Sequence, residues 1–167
     1  MRRPRSALLL PALAACLSAF VMAWMMLLTP AFSDYEVEAQ PALDHLRSGD
    51  LAGFLHHLPL YGGSLILRAP FALLPGLWGG GELAVFRAMA VPGLAAVVLL
   101  GLFVYERAAA LGHGRLFCWG ALALCAANPL TLRALEPGHA EEILVGVLCV
   151  GAALCARSGR ALPAGVL

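Results

Sequence analysis

Acidic and histidine side chains are concentrated in one stretch of this chain, from residue 34 to residue 57. The stretch holds five of the ten acidic residues and three of the five histidines. Within it, Asp34 and Glu36 are two positions apart, and paired carboxylates could hold a divalent cation or deprotonate an acceptor hydroxyl group. The alternative is an acidic, solvated loop without chemistry, and the spacing alone favours that alternative.

Two neighbouring features could also carry chemistry. The adjacent histidines His56 and His57 could ligate a metal, but side chains next to each other on a helix point in different directions, so a metal would need a further ligand from elsewhere. Arg68 lies within an apolar segment. Its planar guanidinium could capture a lipid phosphate, or the side chain could simply extend to a membrane interface.

A second polar segment lies much later in the chain and is rich in acids. It contains Glu136, His139, Glu141 and Glu142. Acidic side chains are favoured at the N-terminus of a helix because they interact with its dipole, and this accounts for Glu141 and Glu142. It does not account for His139, which therefore stays a candidate functional residue.

The composition indicates a membrane protein. Hydrophobic residues make up 61% of the chain and charged residues 13%, with a mean hydropathy of +0.84. Soluble domains usually contain about 25% charged residues. The net charge of +1 gives no sign of a nucleic-acid partner, and no nucleotide-binding fingerprint is present in the sequence.

The apolar runs predict the fold class, an all-α polytopic membrane protein with about four transmembrane helices and the start of a fifth. The loop between the first two runs holds Pro41, placed for the first turn of a short helix, and Asp50, placed to cap another, so we expect interfacial or re-entrant helices there. The predicted single membrane domain divides into spans at 6–29, 83–105, 116–132 and 143–156, a fifth helix starting at 161–167, and outer loops at 30–82 and 133–142.

The arginines predict the orientation of these spans. If residues 64–78 do not cross the membrane, seven arginines lie on one side and four on the other; if they cross, the sides become equal. The positive-inside rule then favours the first arrangement. It predicts a multi-pass protein of the plasma membrane with a cytoplasmic N-terminus and both polar loops on the outer face.

Several short strings together resemble the N-terminal part of a polytopic glycosyltransferase of the GT-C superfamily. The resemblance is closest to the actinobacterial type of polyprenol-phosphate-mannose-dependent alpha-1,2-mannosyltransferase. The strings that carry it are Ser33-Asp34-Tyr35-Glu36, Tyr61-Gly62-Gly63-Ser64-Leu65 with Arg68-Ala69-Pro70-Phe71, Asn128-Pro129, and Gly138-His139-Ala140-Glu141-Glu142.

The resemblance implies that a mannose-type sugar moves from a polyprenyl-phosphate donor to a glycan or lipid acceptor at the extracytoplasmic face. It implies Asp34 as the catalytic base, with Glu36 as the alternative, and a divalent cation in some members. Candidate substrate- or phosphate-binding residues are Tyr61, Arg68, His139 and Glu141. Members of the superfamily have more helices than this chain provides, so the resemblance also implies a fragment of a longer protein.

A different class of function stays open. The chain could be a non-enzymatic polytopic membrane protein, such as a transporter component or an assembly subunit. That class predicts functional polar groups within the spans, near the middle of the membrane. The predicted spans contain few such groups, and the concentration of polar residues in the loops favours chemistry at a membrane surface.

Overall fold

Every regular element in the described part of the chain is helical, so the all-α prediction is confirmed there. Tyr61 and the predicted fifth helix at 161–167 lie outside the described residues. The computed structural model describes residues 8–26, 34–60, 62–129, 133–136, 139–157 and 159.

The longest helix organises the others around it. This helix, α5, runs over Glu82–Ala110, 29 residues or roughly 44 Å at the usual rise per residue. It follows a tight turn in which Gly79 has a φ of +74°, a left-handed conformation that glycine adopts without steric cost. Among the described residues it is the single helix long and apolar enough to cross a membrane.

The prediction of about four transmembrane helices is therefore wrong for the part of the chain described. The first helix, α1, covers Leu9–Met26, and among the described residues its stretch Leu9–Val21 counts as a shorter apolar helix. Helix α6 covers Arg115–Ala126, 12 residues or roughly 18 Å, because the chain leaves the helix before Asn128-Pro129. The predicted third span, 116–132, does not form as one helix.

The last described helix also departs from the predicted span at 143–156. It is α7, and it runs over Ala140–Arg157. Because it begins inside the predicted polar loop, its first turn contains Glu141 and Glu142, and its last turn contains Arg157. Because it has charged residues at both ends, α7 is not one of the helices that are apolar enough to span a membrane.

Helices α1, α6 and α7 all pack against α5, and two glycines let α6 and α7 approach it closely. A Cβ atom at Gly101 would lie 3.1 Å from the side chain of Leu122 in α6. A Cβ atom at Gly93 would lie 3.2 Å from the carbonyl oxygen of Ala140, the first residue of α7. Gly93 therefore fixes where the polar start of α7 meets α5.

Two short helices precede α5, as the sequence predicts. Helix α2, Gln40–Arg47, has Pro41 in its first turn, and helix α3, Leu51–His56, is capped by the side chain of Asp50, so both local predictions are confirmed. A π-helical turn, Tyr35–Ala39, leads directly into α2, with the N–H of Gln40 donating to the carbonyl of Tyr35.

The segment 64–78, predicted to be interfacial or re-entrant, is helical throughout. It lies within helix α4, Gly62–Leu73, and a 3-10 turn, Leu74–Trp78. The buried face of α4 includes Leu65, Arg68 and Ala72, which recur at helical spacing. Arg68 therefore points into the protein, toward α5 and α7, rather than away from it.

Candidate functional site

Four of the residues singled out by the sequence lie in one continuous chain of polar contacts. Nε2 of His139 is 2.8 Å from Oδ2 of Asp34, and Nδ1 of His139 is 3.0 Å from Oε1 of Glu141. The other oxygen of Glu141, Oε2, is 2.9 Å from Nη2 of Arg68. We call Asp34, His139, Glu141 and Arg68 the long-range cluster, because they come from three distant segments.

The Asp34 end of the cluster is positioned by the π-helical turn that follows it. A π-helical turn holds one residue more than an α-helical turn, and such turns are frequent at functional sites. Here the turn directs Tyr35, Ala39 and Leu43 into the core. Asp34 is left at the edge of that core, with a side chain that is 44% exposed.

The opposite end is positioned by the start of α7. The backbone N–H of His139 donates to the carbonyl of Ala134, at 2.9 Å. The carbonyl of His139 accepts from the N–H of Glu142, at 3.1 Å. These bonds and the close approach at Gly93 fix His139 and Glu141 against α5, while the dipole of α7 favours the negative charge of Glu141.

Arg68 and Glu141 form a buried ion pair. Their side chains are 3% and 11% exposed. Nε of Arg68 also donates to the carbonyl of Ser64, at 3.4 Å. Burial lowers the pKa of Arg68 by more than the charge of Glu141 raises it, but a guanidinium remains protonated in proteins. The pair anchors Glu141, and through it His139.

His139 lies between two carboxylates, and this controls its protonation. Burial lowers the pKa of His139, but the hydrogen bond and charge of Glu141, with smaller contributions from Asp34 and Glu142, raise it by more. The net pKa lies above the ordinary histidine value of about 6.5. Protonated His139 donates from both ring nitrogens, and so it joins Asp34 to Glu141.

A second polar group, which the sequence did not indicate, lies beside Asp34. The buried hydroxyl of Tyr35 donates to Oε2 of Glu82, at 3.1 Å, and Nη1 of Arg47 donates to Oε1 of the same carboxylate. Glu82 is the first residue of α5. No local spacing connects these three residues, so only the fold could have revealed them.

A separate group of polar residues lies within the acidic stretch. We call it the local cluster, and it consists of His45, Asp50 and His57. Nδ1 of His45 is 2.9 Å from Oδ2 of Asp50, whose Oδ1 accepts from the N–H of Gly53 at 2.8 Å. The rings of His45 and His57 are stacked with centroids 4.4 Å apart, and His56 lies edge-on to His57. All these residues belong to the α2–α3 hairpin.

Two predicted site residues are not part of either group. Glu36 is exposed, one residue beyond Tyr35 on the π-helical turn. Tyr61 lies outside the described residues. Arg68 belongs to the long-range cluster, but it is buried rather than presented at a surface. The cavity beside it, which Tyr35 and Phe86 also line, measures only about 10 Å³, enough for about one water molecule.

The geometry does not fit a divalent cation. Within the described segments, no group of three or more His, Cys, Asp and Glu residues could hold a metal ion. The donor chemistry agrees, because both nitrogens of His139 already face carboxylates and one oxygen of Glu141 faces Arg68.

Comparison with known protein families, with curated proteins and with solved structures gives no match to this chain.

Proposed function

We propose that the protein is a membrane glycosyltransferase that transfers a mannose-type sugar from a polyprenyl-phosphate donor to a hydroxyl group of a glycan or lipid acceptor. In this proposal the reaction takes place at the extracytoplasmic face of the plasma membrane. Helix α5, the single membrane-spanning candidate in the described part of the chain, is compatible with attachment to the bilayer.

The observation that supports this proposal most strongly is the assembly of the long-range cluster. Asp34, His139, Glu141 and Arg68 are all candidate site residues from the sequence alone, and they occupy three separate segments of the chain. They meet within hydrogen-bonding distance of one another. Ionisable residues brought together in this way, with the pKa values of Arg68 and His139 displaced, are typical of functional sites.

Asp34 is the base in the proposed reaction. Its carboxylate removes the proton of the acceptor hydroxyl while the acceptor oxygen forms a bond to the anomeric carbon of the sugar. The bond from that carbon to the phosphate oxygen breaks, and the lipid phosphate leaves with the electron pair. The acceptor approaches from the exposed side of Asp34, since the cavity that the neighbouring Tyr35 lines is too small for a substrate.

The other members of the cluster hold Asp34 in place. His139 binds one oxygen of the Asp34 carboxylate and leaves the other for the acceptor. Glu141 orients His139, and Arg68 neutralises and orients Glu141. In this arrangement Arg68 acts from inside the protein, as a positioning residue, and does not contact the departing phosphate.

The proposal is tested by measuring transfer from a polyprenyl-phosphate-mannose donor to an oligomannoside acceptor, using the purified full chain in detergent. We expect Asp34→Asn to reduce kcat by roughly 100-fold or more, the usual contribution of a general base. Glu36→Gln tests the alternative base and is expected to change the rate little, since Glu36 points to solvent. Glu106→Gln, an exposed change at the far end of α5, serves as the control.

Three outcomes would overturn the assignment. Full activity in Asp34→Asn would exclude Asp34 as the base. A large loss in Glu36→Gln alone would transfer that role to Glu36. No transfer by the wild-type chain, from donors with several lengths of lipid, would contradict the transferase proposal itself.

A transporter component is the second candidate, and one observation favours it. The Arg68–Glu141 pair is buried between α4 and α7, and Arg68 lines a small cavity together with Phe86 and Ala90 of α5. Ionisable groups buried between the helices of a membrane protein often serve transport. A proton flux in sealed liposomes without any sugar donor would favour this candidate over the transferase.

A further inference from the structure

The residue that follows Asp34 is anchored far more firmly than Asp34 itself. Tyr35 is 4% exposed, and its ring makes an edge-to-face contact with Phe86 of α5, with centroids 5.3 Å apart. Its hydroxyl donates to Glu82, also on α5. Burial, followed by the charge and hydrogen bond of Glu82, raises the pKa of Tyr35, so it stays a neutral donor.

A second contact with Glu82 comes from the C-terminal end of the helical segment that begins at Tyr35. Arg47 lies in the last turn of α2, and its guanidinium donates to Oε1 of Glu82. Asp44 lies 3.6 Å from the same guanidinium. One carboxylate at the start of α5 therefore holds both the first and the last turn of the segment from Tyr35 to Arg47.

We infer that Glu82 is a positioning residue that holds Asp34 against His139. Asp34 precedes this doubly anchored segment directly, and its contact with His139 is made from the exposed edge of the core. Without Glu82, the hydroxyl of Tyr35 and the guanidinium of Arg47 lose their shared acceptor, and the first turn is held less firmly. The catalytic consequence rests on the function proposed above; the placement of Asp34 does not.

The protonation of His139 reports this placement directly. The groups that face His139 are Asp34, Glu141 and Glu142, with Arg68 beyond Glu141. Glu82 is not among them, so its own charge contributes little to the pKa of His139. A change at Glu82 therefore reaches His139 through the position of Asp34.

The experiment is an NMR titration of the histidine rings in the full chain, labelled with 15N-histidine in detergent micelles. The chain has five histidines, and the signal of His139 is identified by its loss in His139→Gln. Asp34→Asn, which removes the charge facing Nε2, defines the full fall in the pKa of His139. We expect Glu82→Ala to reproduce most of that fall.

Glu82→Gln is the matched control for charge. It removes the negative charge but keeps an oxygen that can accept from Tyr35, so we expect it to lower the pKa of His139 by less than Glu82→Ala does. Tyr35→Phe keeps the ring on Phe86 and removes one anchor, and it is expected to give an intermediate fall. It also keeps the test valid if Glu82→Ala fails to fold.

Three results would overturn the inference. The pKa of His139 could stay unchanged in both Glu82→Ala and Tyr35→Phe while it falls in Asp34→Asn. Glu82→Gln and Glu82→Ala could lower it equally, which would indicate a charge effect without positioning. Asp34→Asn could leave it unchanged, which would mean that the Asp34–His139 contact does not form in solution.

The same variants separate this inference from the proposed function. If transfer occurs, we expect Glu82→Ala to lower kcat roughly 10- to 100-fold with KM little changed, because small misplacements of a catalytic group have effects of this size. If the wild-type chain has no transferase activity but the pKa of His139 responds as described, the proposed function fails and the positioning role of Glu82 stands.

Discussion

The long-range cluster and the local cluster are both built from acids and histidines, but they differ in how they are held. In the local cluster, His45, Asp50 and His57 lie on one helical hairpin, and the Asp50 side chain is 50% exposed. In the long-range cluster, the Arg68–Glu141 pair is almost completely buried and joins α4 to α7. The local cluster stabilises the turn between α2 and α3, whereas the long-range cluster fixes the position of α4 relative to α7.

This difference in burial explains why breaking similar ion pairs in the two clusters should have different effects on stability. An exposed ion pair gains little, because water and salt screen it. A buried pair is expensive to break, because the remaining charge has no solvation. We therefore expect changes in the long-range cluster to affect the whole fold, and changes in the local cluster to affect mainly the α2–α3 hairpin.

The largest effect is expected from breaking the buried pair. Glu141→Leu would leave the Arg68 charge buried, and we expect it to reduce the free energy of unfolding by about 3–5 kcal/mol. The double variant Arg68→Met/Glu141→Leu removes both charges and should recover most of that loss. Urea unfolding followed by circular dichroism measures both variants.

The local cluster supplies the control for this comparison. His45→Gln removes one partner of the exposed His45–Asp50 pair, and a smaller change in the free energy of unfolding is expected. Equal losses in His45→Gln and Glu141→Leu would contradict the distinction between the clusters. So would a double variant that is as unstable as Glu141→Leu alone.

A smaller effect is expected at Gly53, on which the local cluster rests. A Cβ atom there would lie 2.2 Å from Oδ2 of Asp50 and 2.3 Å from Nδ1 of His45. Both side chains are partly exposed and can move, so we expect Gly53→Ala to cost about 1 kcal/mol, the low end for overpacking.

Gly146→Ala is the matched change, because nothing lies within 4 Å of its Cβ position in α7. Alanine is favoured over glycine within a helix by about 0.5–1 kcal/mol, so this variant should be slightly more stable than the wild type. Thermal unfolding distinguishes the two variants. A gain in stability in Gly53→Ala would show that the contacts around Gly53 are loose.

The smallest effects are expected in the pH dependence of stability. The two clusters should contribute to stability in different pH ranges. The raised pKa of His139 means that its pairing stabilises the folded state fully below about pH 6.5, and that this contribution is lost as the pH rises through the raised folded pKa. The stability difference between wild type and His139→Gln should therefore shrink above neutral pH.

Asp50 should act on the acidic side instead. The N–H of Gly53 and the ring of His45 lower its pKa. Its contribution is therefore present above about pH 3.9 and is lost as the pH falls through the lowered folded pKa. Unfolding of wild type and Asp50→Asn between pH 2 and pH 6 measures this contribution. A difference that grows toward low pH would contradict this assignment.

Local features of the fold could be predicted from the sequence. Pro41 at the start of α2 and Asp50 as the cap of α3 depend on interactions over a few residues, and both are confirmed. The number of membrane-spanning helices could not be predicted. Apolar runs show where helices are buried or lipid-facing, but not where each helix ends, and α6 ends before Asn128-Pro129.

The candidate site was predictable as a set of residue types but not as an arrangement. Arg68 and His139 are ionisable groups that local structure does not explain, whereas Asp34 and Glu141 become site candidates through the resemblance. Their contacts depend on how α4 and α7 pack against α5, which no spacing in the sequence expresses. Glu82 gives no signal in the sequence for the same reason, since a single acid after three glycines is typical of an ordinary helix start.

Because Tyr35–Ala39 forms a π-helical turn, the position of Asp34 depends on the number of residues in this segment, whatever their identity. Deleting one residue would return the turn to α-helical spacing and rotate Asp34 by about 100° relative to α2. Asp34 would then face away from His139 even if every side chain of the site were retained. Across 34–39, substitutions at exposed positions such as Glu36 and Val37 are therefore compatible with the site, whereas insertions and deletions are not.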